Sequence, residues 1–447
     1  MQQQNENCIP TANEYIPHAF SINVIDYGAK GNATHDDTQA FQNAIDYCHN
    51  IGGGVVRVPA GQYLIATHLY LKENVTIEGV WHAPPTNSRH DKISTEGVLK
   101  GKKPYGGSVL LAVEGEGNPE GTPFITMQNN TTVKGLSIYY PEQGRDNSVI
   151  EFPWTFRTEK GYNQSLINLL LINPYMAVDF GTHETQRHYV SGVFGSPIYK
   201  GIEVDQGYDI GRITNVHFWP FWDEMPEAVK EYTYNKGIAF SFARTDWQYV
   251  DNCFAIFYHI GFNFVDGRLP GGYGGGGNVL LDKCGGDICH YAMVVEQSQV
   301  HSGVSVSNSN LFGTVKITPT NVGPVKFTGC SFFGTDVSNT WTKTGCVKTA
   351  SQNVVMFGNC TFTRLSPEHR DKPYVIAEEG RISINGCTFM DECVDVEQGV
   401  DHIVLKPSVR SARIIGNEFY NPMLITNNAK GAVLIEHNIG DTAAIEI

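Results

Sequence analysis

Residues 177–206 read AVDFGTHETQRHYVSGVFGSPIYKGIEVDQ. Two short segments inside this stretch are alike, Ala177-Val178-Asp179-Phe180 and Gly201-Ile202-Glu203-Val204. Both alternate apolar and acidic residues, the period of a strand with one buried face. With Val178, Phe180, Ile202 and Val204 turned inward, Asp179, Glu203 and Asp205 turn outward. Asp179 and Glu203 lie 24 residues apart, an interval that suits one turn of a coil. The two acids then fall on neighbouring strands, roughly 5 Å apart at the backbone. Carboxylates that close repel each other, and one tends to keep its proton.

Working outward, the same column continues as GIAFSFARTD from Gly237, GFNFVDGRLP from Gly261 and AMVVEQSQ from Ala292, and Gly237 to Gly261 is again 24 residues. The C-terminal third repeats most regularly. VKFTGCSFFG, VVMFGNCTFT, RISINGCTFM and ARIIGNEFYN share a strand, then Gly or Asn, then Cys or Asn, then an aromatic residue, and VLIEHNIGDT keeps the strand and the Asn. Cys330, Cys360 and Cys387 are spaced by 30 and 27 residues, and Asn417 and Asn438 follow at 30 and 21. Self-similarity on this scale predicts a solenoid, here an all-β parallel β-helix in which like residues stack from coil to coil. The Cys and Asn positions are expected to be structural.

The composition agrees. In 447 residues there are 47 Gly and only 17% charged residues, which suits short strands and turns rather than long helices or disorder. A net charge of −14 argues against nucleic acid as a partner, while leaving room for a local basic groove. The opening MQQQNENC holds no apolar run, so neither a signal peptide nor a membrane span is visible there. The localisation expected from the function below is periplasmic or extracellular. Of the ten cysteines, Cys284 and Cys289 are close enough in sequence to be bridged or to bind metal, but free buried thiols are the favoured reading.

Near the N-terminus, Ile22 to Tyr27 reads as a strand and Asp36-Asp37 as carboxylates capping a helix. Phe41, Ala44, Ile45 and Cys48 share one face of that helix, and Gly52-Gly53-Gly54 ends it. The expected organisation is an N-terminal arm over 1–20 and one β-helix domain over 21–447. Within the domain, 21–68 form a cap, and 81–125 and 217–236 are loop insertions. Asp26-Tyr27-Gly28-Ala29, Asp36-Asp37-Thr38, Gly52-Gly53-Gly54 and Pro59-Ala60-Gly61-Gln62-Tyr63 together resemble the N-terminal cap of the pectate-lyase superfamily, which includes the polygalacturonases. That resemblance implies a single-stranded right-handed parallel β-helix with a short capping helix. It says little about the reaction, because hydrolases, lyases, uronate epimerases and phage tail depolymerases look to share this cap. The polygalacturonase signatures Asn-Thr-Asp, Gly-His-Gly and Arg-Ile-Lys are absent, so no residue roles are carried over.

The functional expectation therefore rests on the column. Hydrolysis of a glycosidic bond needs a proton donor and a carboxylate that activates water or attacks carbon. Asp179, Glu203, Asp205 and Asp246 are the catalytic candidates. His183, Tyr208, Arg244, Trp247, Asp266 and Arg268, in the connections after the column strands, are candidates for binding substrate. Trp219 and Trp222 join them, since aromatic faces beside acids suit a sugar. Gly271–Gly277 reads as a lip of the cleft. The leading expectation is a glycoside hydrolase acting on a polysaccharide or oligosaccharide without cofactor or metal. A uronate lyase or epimerase is the alternative. It would use Arg244, Arg268, His183 or Tyr208 as base, with Ca²⁺ held by the acidic stack. Between residues 140 and 300 there are 19 Asp or Glu against 11 Lys or Arg, which leans away from a polyanionic substrate. A non-catalytic glycan-binding adhesin or tail module is the third reading. Flat side faces would allow a homotrimer.

Overall fold

A computed structural model describes residues 20–80, 107–220, 225–268, 275–334, 346–364, 372–390, 400–420 and 422–440. Apart from two short helices, these residues form short strands, 38 of which join in one continuously hydrogen-bonded sheet system. Every pairing between those strands is parallel, and each strand meets its counterpart in the next coil.

Each coil contributes a strand to each of three walls. The wall that matters most here contains Trp154–Thr158, Met176–Phe180, Lys200–Val204, Ile238–Phe242, Ile260–Phe264 and Tyr291–Val295, side by side. The bend between the second and third walls needs one left-handed residue per coil. Asn168, Asn215, Asn252, Asn308 and Asn359 supply it at φ between 48° and 52°. Asn tolerates this region better than other side chains that carry a Cβ, which explains the Gly-or-Asn position of the sequence repeat.

The residue after that bend points inward and builds a ladder. The Cys284 N–H donates to Ser309 Oγ, that of Cys360 to Cys387 Sγ, that of Cys387 to Asn417 Oδ1 and that of Asn417 to Asn438 Oδ1. Thiol, hydroxyl and amide thus satisfy backbone groups that the bend would leave buried and unpaired. All eight cysteines among the described residues are free and buried, Cys284 and Cys289 included. Beside the ladder, the rings of Phe332, Phe362, Phe389 and Phe419 stack nearly parallel at 4.6–4.8 Å.

The cap departs from the sequence reading in two details. The first strand is only Ser21–Asn23, and Val24–Tyr27 turn as a 3-10 helix closed by Gly28 at φ 103°. The capping helix, Thr38–Asn50, buries Phe41, Ala44, Ile45 and Cys48 as its spacing predicts. Asp37 makes no capping bond to it and instead accepts the N–H groups of Lys30 and Gly31. Only Asp36 reaches into the helix, through Thr38 N at 3.0 Å. Both acids are structural. The segment before Gly237 folds as a second helix, Glu227–Lys236, which buries Val229 and Thr233 and sends Tyr232 toward the first wall.

Candidate functional site

Register decides which side chains meet. On the first wall, Arg157, Asp179, Glu203, Ser241 and Asn263 occupy one outward position on five successive coils. Their neighbours Phe156, Val178, Ile202, Phe240 and Phe262 fill the interior. Asp179 and Glu203 are therefore paired across adjacent strands, about 4.8 Å apart at the backbone.

Their environments differ from the simple repelling stack. Asp179 has no exposed side-chain surface. Its Oδ1 accepts the N–H groups of Gly181 and Thr182 at 2.8 Å, and its Oδ2 accepts Arg157 Nε at 2.7 Å and Thr182 Oγ1 at 2.6 Å. Burial alone would raise its pKa, but the bonds from Thr182 and Gly181 and the Arg157 charge outweigh it and hold the carboxyl below its ordinary value. A proton donor is thus not what this position provides. Glu203 is gripped by Lys200, whose Nζ lies 2.9 Å from Oε2, and by the Arg268 guanidinium on Oε1. Asp205 ties three turns together. Its Oδ1 accepts the N–H groups of Gln206 and Arg244, and its Oδ2 accepts that of Arg268 at 2.9 Å. Burial pushes its pKa up against those three bonds.

A cavity of about 430 Å³ opens beside this column. Arg157, Lys200 and Arg268 bring three cations to its wall, and Glu120 and Glu151 bring two carboxylates. Trp154, Tyr175 and Tyr199 supply aromatic faces, with Tyr175 and Tyr199 stacked at 5.2 Å. Lys200 Nζ sits 5.5 Å from the Trp154 ring and 5.8 Å from that of Tyr199. Burial pulls the Lys200 pKa down, and the nearby Arg268 charge adds to this against the pull of Tyr199 and Asp179. Tyr175 is shifted the other way. Burial raises its pKa, and its bonds with Tyr232 at 2.9 Å and Glu151 at 3.1 Å reinforce the rise. A smaller cavity of about 190 Å³ adjoins the column further along and shares Lys200.

Other expected site residues gather elsewhere. Gly161–Tyr162, Thr185–Gln186 and Gly207–Tyr208 form a small sheet of their own at the turns that follow the first wall. There Tyr208 donates to Glu184 at 3.2 Å, and Lys160 pairs with the same carboxylate. The Arg244 guanidinium lies 4.6 Å over the Tyr208 ring and reaches Asp246 at 2.7 Å. Tyr208, Arg244 and Asp246 thus come together, but none of them lines the larger cavity. His183, Trp247 and Asp266 are exposed, and Asp266 caps the N–H of Gly267. Trp219 follows a strand of the third wall and stacks on His217 at 6.2 Å, away from the column. Trp222, and Gly271–Gly274 of the expected lip, lie outside the described residues. Among the described residues, no group of three or more His, Cys, Asp or Glu side chains is arranged to hold a metal ion, and no helix is long and apolar enough to cross a membrane.

The sequence reading missed Arg157, Lys200, Trp154, Tyr175 and Tyr199. Arg157 could have been found by stepping back 22 residues from Asp179 along the column. Lys200 stands just before the segment whose likeness was read.

Residues 21–193 match the family described as rhamnogalacturonase A/epimerase, pectate lyase-like. Alginate lyase 7 of Azotobacter vinelandii is 45% identical over 67 residues, which are 13% of this chain and 8% of that protein. The match therefore spans under a tenth of that relative's length. Among solved structures, the A-module of the mannuronan C-5 epimerase AlgE6 from A. vinelandii aligns over 94% of this chain and all of its own, with a TM-score of 0.56 at 13% identity. DFA-IIIase from Arthrobacter chlorophenolicus A6, without its lid, aligns over 93% of this chain and 98% of its own, with a TM-score of 0.57 at 12% identity. The parallel coils, the capping helix and the family match over residues 21–193 agree on a pectate-lyase-like parallel β-helix fold.

Proposed function

We propose that this protein is a carbohydrate-active enzyme that removes a proton from a uronate unit of a glycan, as a lyase or epimerase does. The observation that carries this reading is the gathering of Arg157, Lys200 and Arg268 around one aromatic-lined cavity in a chain of net charge −14. The two guanidiniums suit a carboxylate-bearing sugar, Lys200 beside them can take a proton, and the aromatic faces suit the apolar side of the sugar.

The chemistry follows from the groups present. Taking the hydrogen from the carbon next to a carboxylate drives an electron pair into that carboxylate, and the extra charge must be stabilised where it forms. Arg157 and Arg268 are placed for this. Asp179 fixes Arg157 through Nε, and Asp205 fixes the backbone of Arg268. Lys200, with its pKa pulled down, is the base. Tyr175, with its pKa raised, keeps its proton and can give it up to a leaving oxygen or to the opposite face of the sugar. Groups pushed apart in this way on one cavity are what an acid–base pair requires. The named activities of the alginate lyase and the mannuronan epimerase support a carbohydrate substrate.

A second reading, hydrolysis, is favoured by Glu120 and Glu151 facing the same cavity. Incubation with a panel of uronate-bearing glycans in D₂O separates the two. Elimination gives ultraviolet-absorbing unsaturated ends, and epimerisation gives deuterium on the uronate ring without chain cleavage. New reducing ends carrying the mass of water, with neither of those signals, would replace this reading by hydrolysis.

A further inference from the structure

The smaller cavity shares Lys200 with the larger one, and Glu203, the partner of Lys200, lines the smaller cavity beside that wall. Beyond that wall its lining changes character. Ile202, Ile238 and Val265 are apolar, and Ser241 and Asn263 bring neutral polar groups. Asn263 is 5% exposed, and its Oδ1 is buried with no hydrogen-bond partner among the described residues. A buried amide oxygen left unpaired is costly, and a native structure rarely keeps one without reason.

We infer that the smaller cavity receives an uncharged sugar unit linked to the uronate, with a sugar hydroxyl donating to Asn263 Oδ1. The inference rests on the uronate reading of the larger cavity and names its substrate class: a glycan in which a uronate adjoins a neutral sugar. The charge pattern selects the neutral neighbour. Among the described residues, the one cation lining the smaller cavity is Lys200, already paired with Glu203. A second carboxylate there would be buried beside the Glu203 carboxylate without a counter-charge, an expensive arrangement. A neutral ring instead lays its apolar face on Ile238 and Val265 and presents hydroxyls to Ser241 and Asn263.

Titration calorimetry on the full chain with galacturonate, digalacturonate and an aldobiouronate (a uronate linked to a neutral sugar) tests this. The aldobiouronate should bind about tenfold more tightly than galacturonate, the worth of one good buried hydrogen bond. Digalacturonate should gain nothing. Asn263→Ala should erase the aldobiouronate gain and keep the affinity for galacturonate. An equal gain for digalacturonate, or a gain that survives Asn263→Ala, overturns the inference. If Asn263→Ala also loses galacturonate, the variant has not folded and Ser241→Ala replaces it: a reduced gain supports the inference and an unchanged one overturns it. Wild-type protein that ignores galacturonate but binds xylobiose in an Asn263-dependent way would overturn the uronate reading and leave the neutral subsite standing. Equal affinity for all three acidic probes would do the reverse.

Discussion

Asp179 and Glu203 face each other in register, yet their surroundings give them different work. Four hydrogen bonds saturate Asp179 and make it the clamp of Arg157. An amide in its place still accepts the two backbone N–H groups but loses the charge opposite a guanidinium whose side chain is only 20% exposed. Asp179→Asn should therefore cost about 3 kcal/mol, the lower end for breaking a buried pair, as read by urea unfolding. Because the folded protein depresses this pKa, the stability it confers is full above the unfolded carboxyl value and is lost as pH falls through the depressed one. The variant should lack that acid-side loss. At the cavity, Lys200→Arg should lower turnover by about 10² or more, since a guanidinium does not deprotonate. Tyr175→Phe should fall similarly. The wild-type rate should rise with pH through a Lys200 pKa below the ordinary 10.5, and near-normal turnover in Lys200→Arg would remove it as the base. The acid stack was legible in sequence because alternation and a 24-residue interval are local facts. The cation cluster was not. Arg157, Lys200 and Arg268 come from three coils, and nothing in their spacing reveals that one cavity joins them.

At the scale of the element, the governing device is the one-residue left-handed bend between the second and third walls. The sequence repeat displayed it openly as Gly or Asn before Cys or Asn. Asn359 sits there at φ 52°. Asn359→Gly should be tolerated, whereas Asn359→Ala should lose about 1 kcal/mol, the cost of placing an ordinary side chain in this region. Equal stability of the two variants in denaturant would show that the bend relaxes to another conformation. The ladder behind the bend was also legible, since its members recur at coil spacing. The second helix was less so. Its segment reads as aromatic and acidic, and the sequence suggests a sugar cleft there. Trp222, Asp223 and Glu224 of that segment lie outside the described residues, and the helix after them delivers Tyr232 to Tyr175 and so acts on the cavity through a hydrogen bond between distant coils.

Across the whole molecule, a solenoid differs from a globule because each coil touches chiefly the coils before and after it. Stability should then be local, and damage should stay near its source. Phe389 tests this. Its ring lies 4.7 Å from that of Phe362 and 4.6 Å from that of Phe419, nearly parallel to both, and it is fully buried. Phe389→Ala opens a cavity in the C-terminal coils that backbone pairing on both sides keeps from collapsing, a loss of about 3–5 kcal/mol. The first-wall strands around Asp179 and Glu203 lie many coils away and share no partner with Phe389. Amide hydrogen exchange in Phe389→Ala should therefore quicken over the strands that hold Phe362, Phe389 and Phe419, while Met176–Phe180 and Lys200–Val204 keep wild-type protection. The cavity built on those two strands should keep its affinity for galacturonate at a temperature where the C-terminal coils have begun to open. Uniform loss of protection along the chain would mean that the coils unfold as one cooperative unit, and that the site depends on the entire stack.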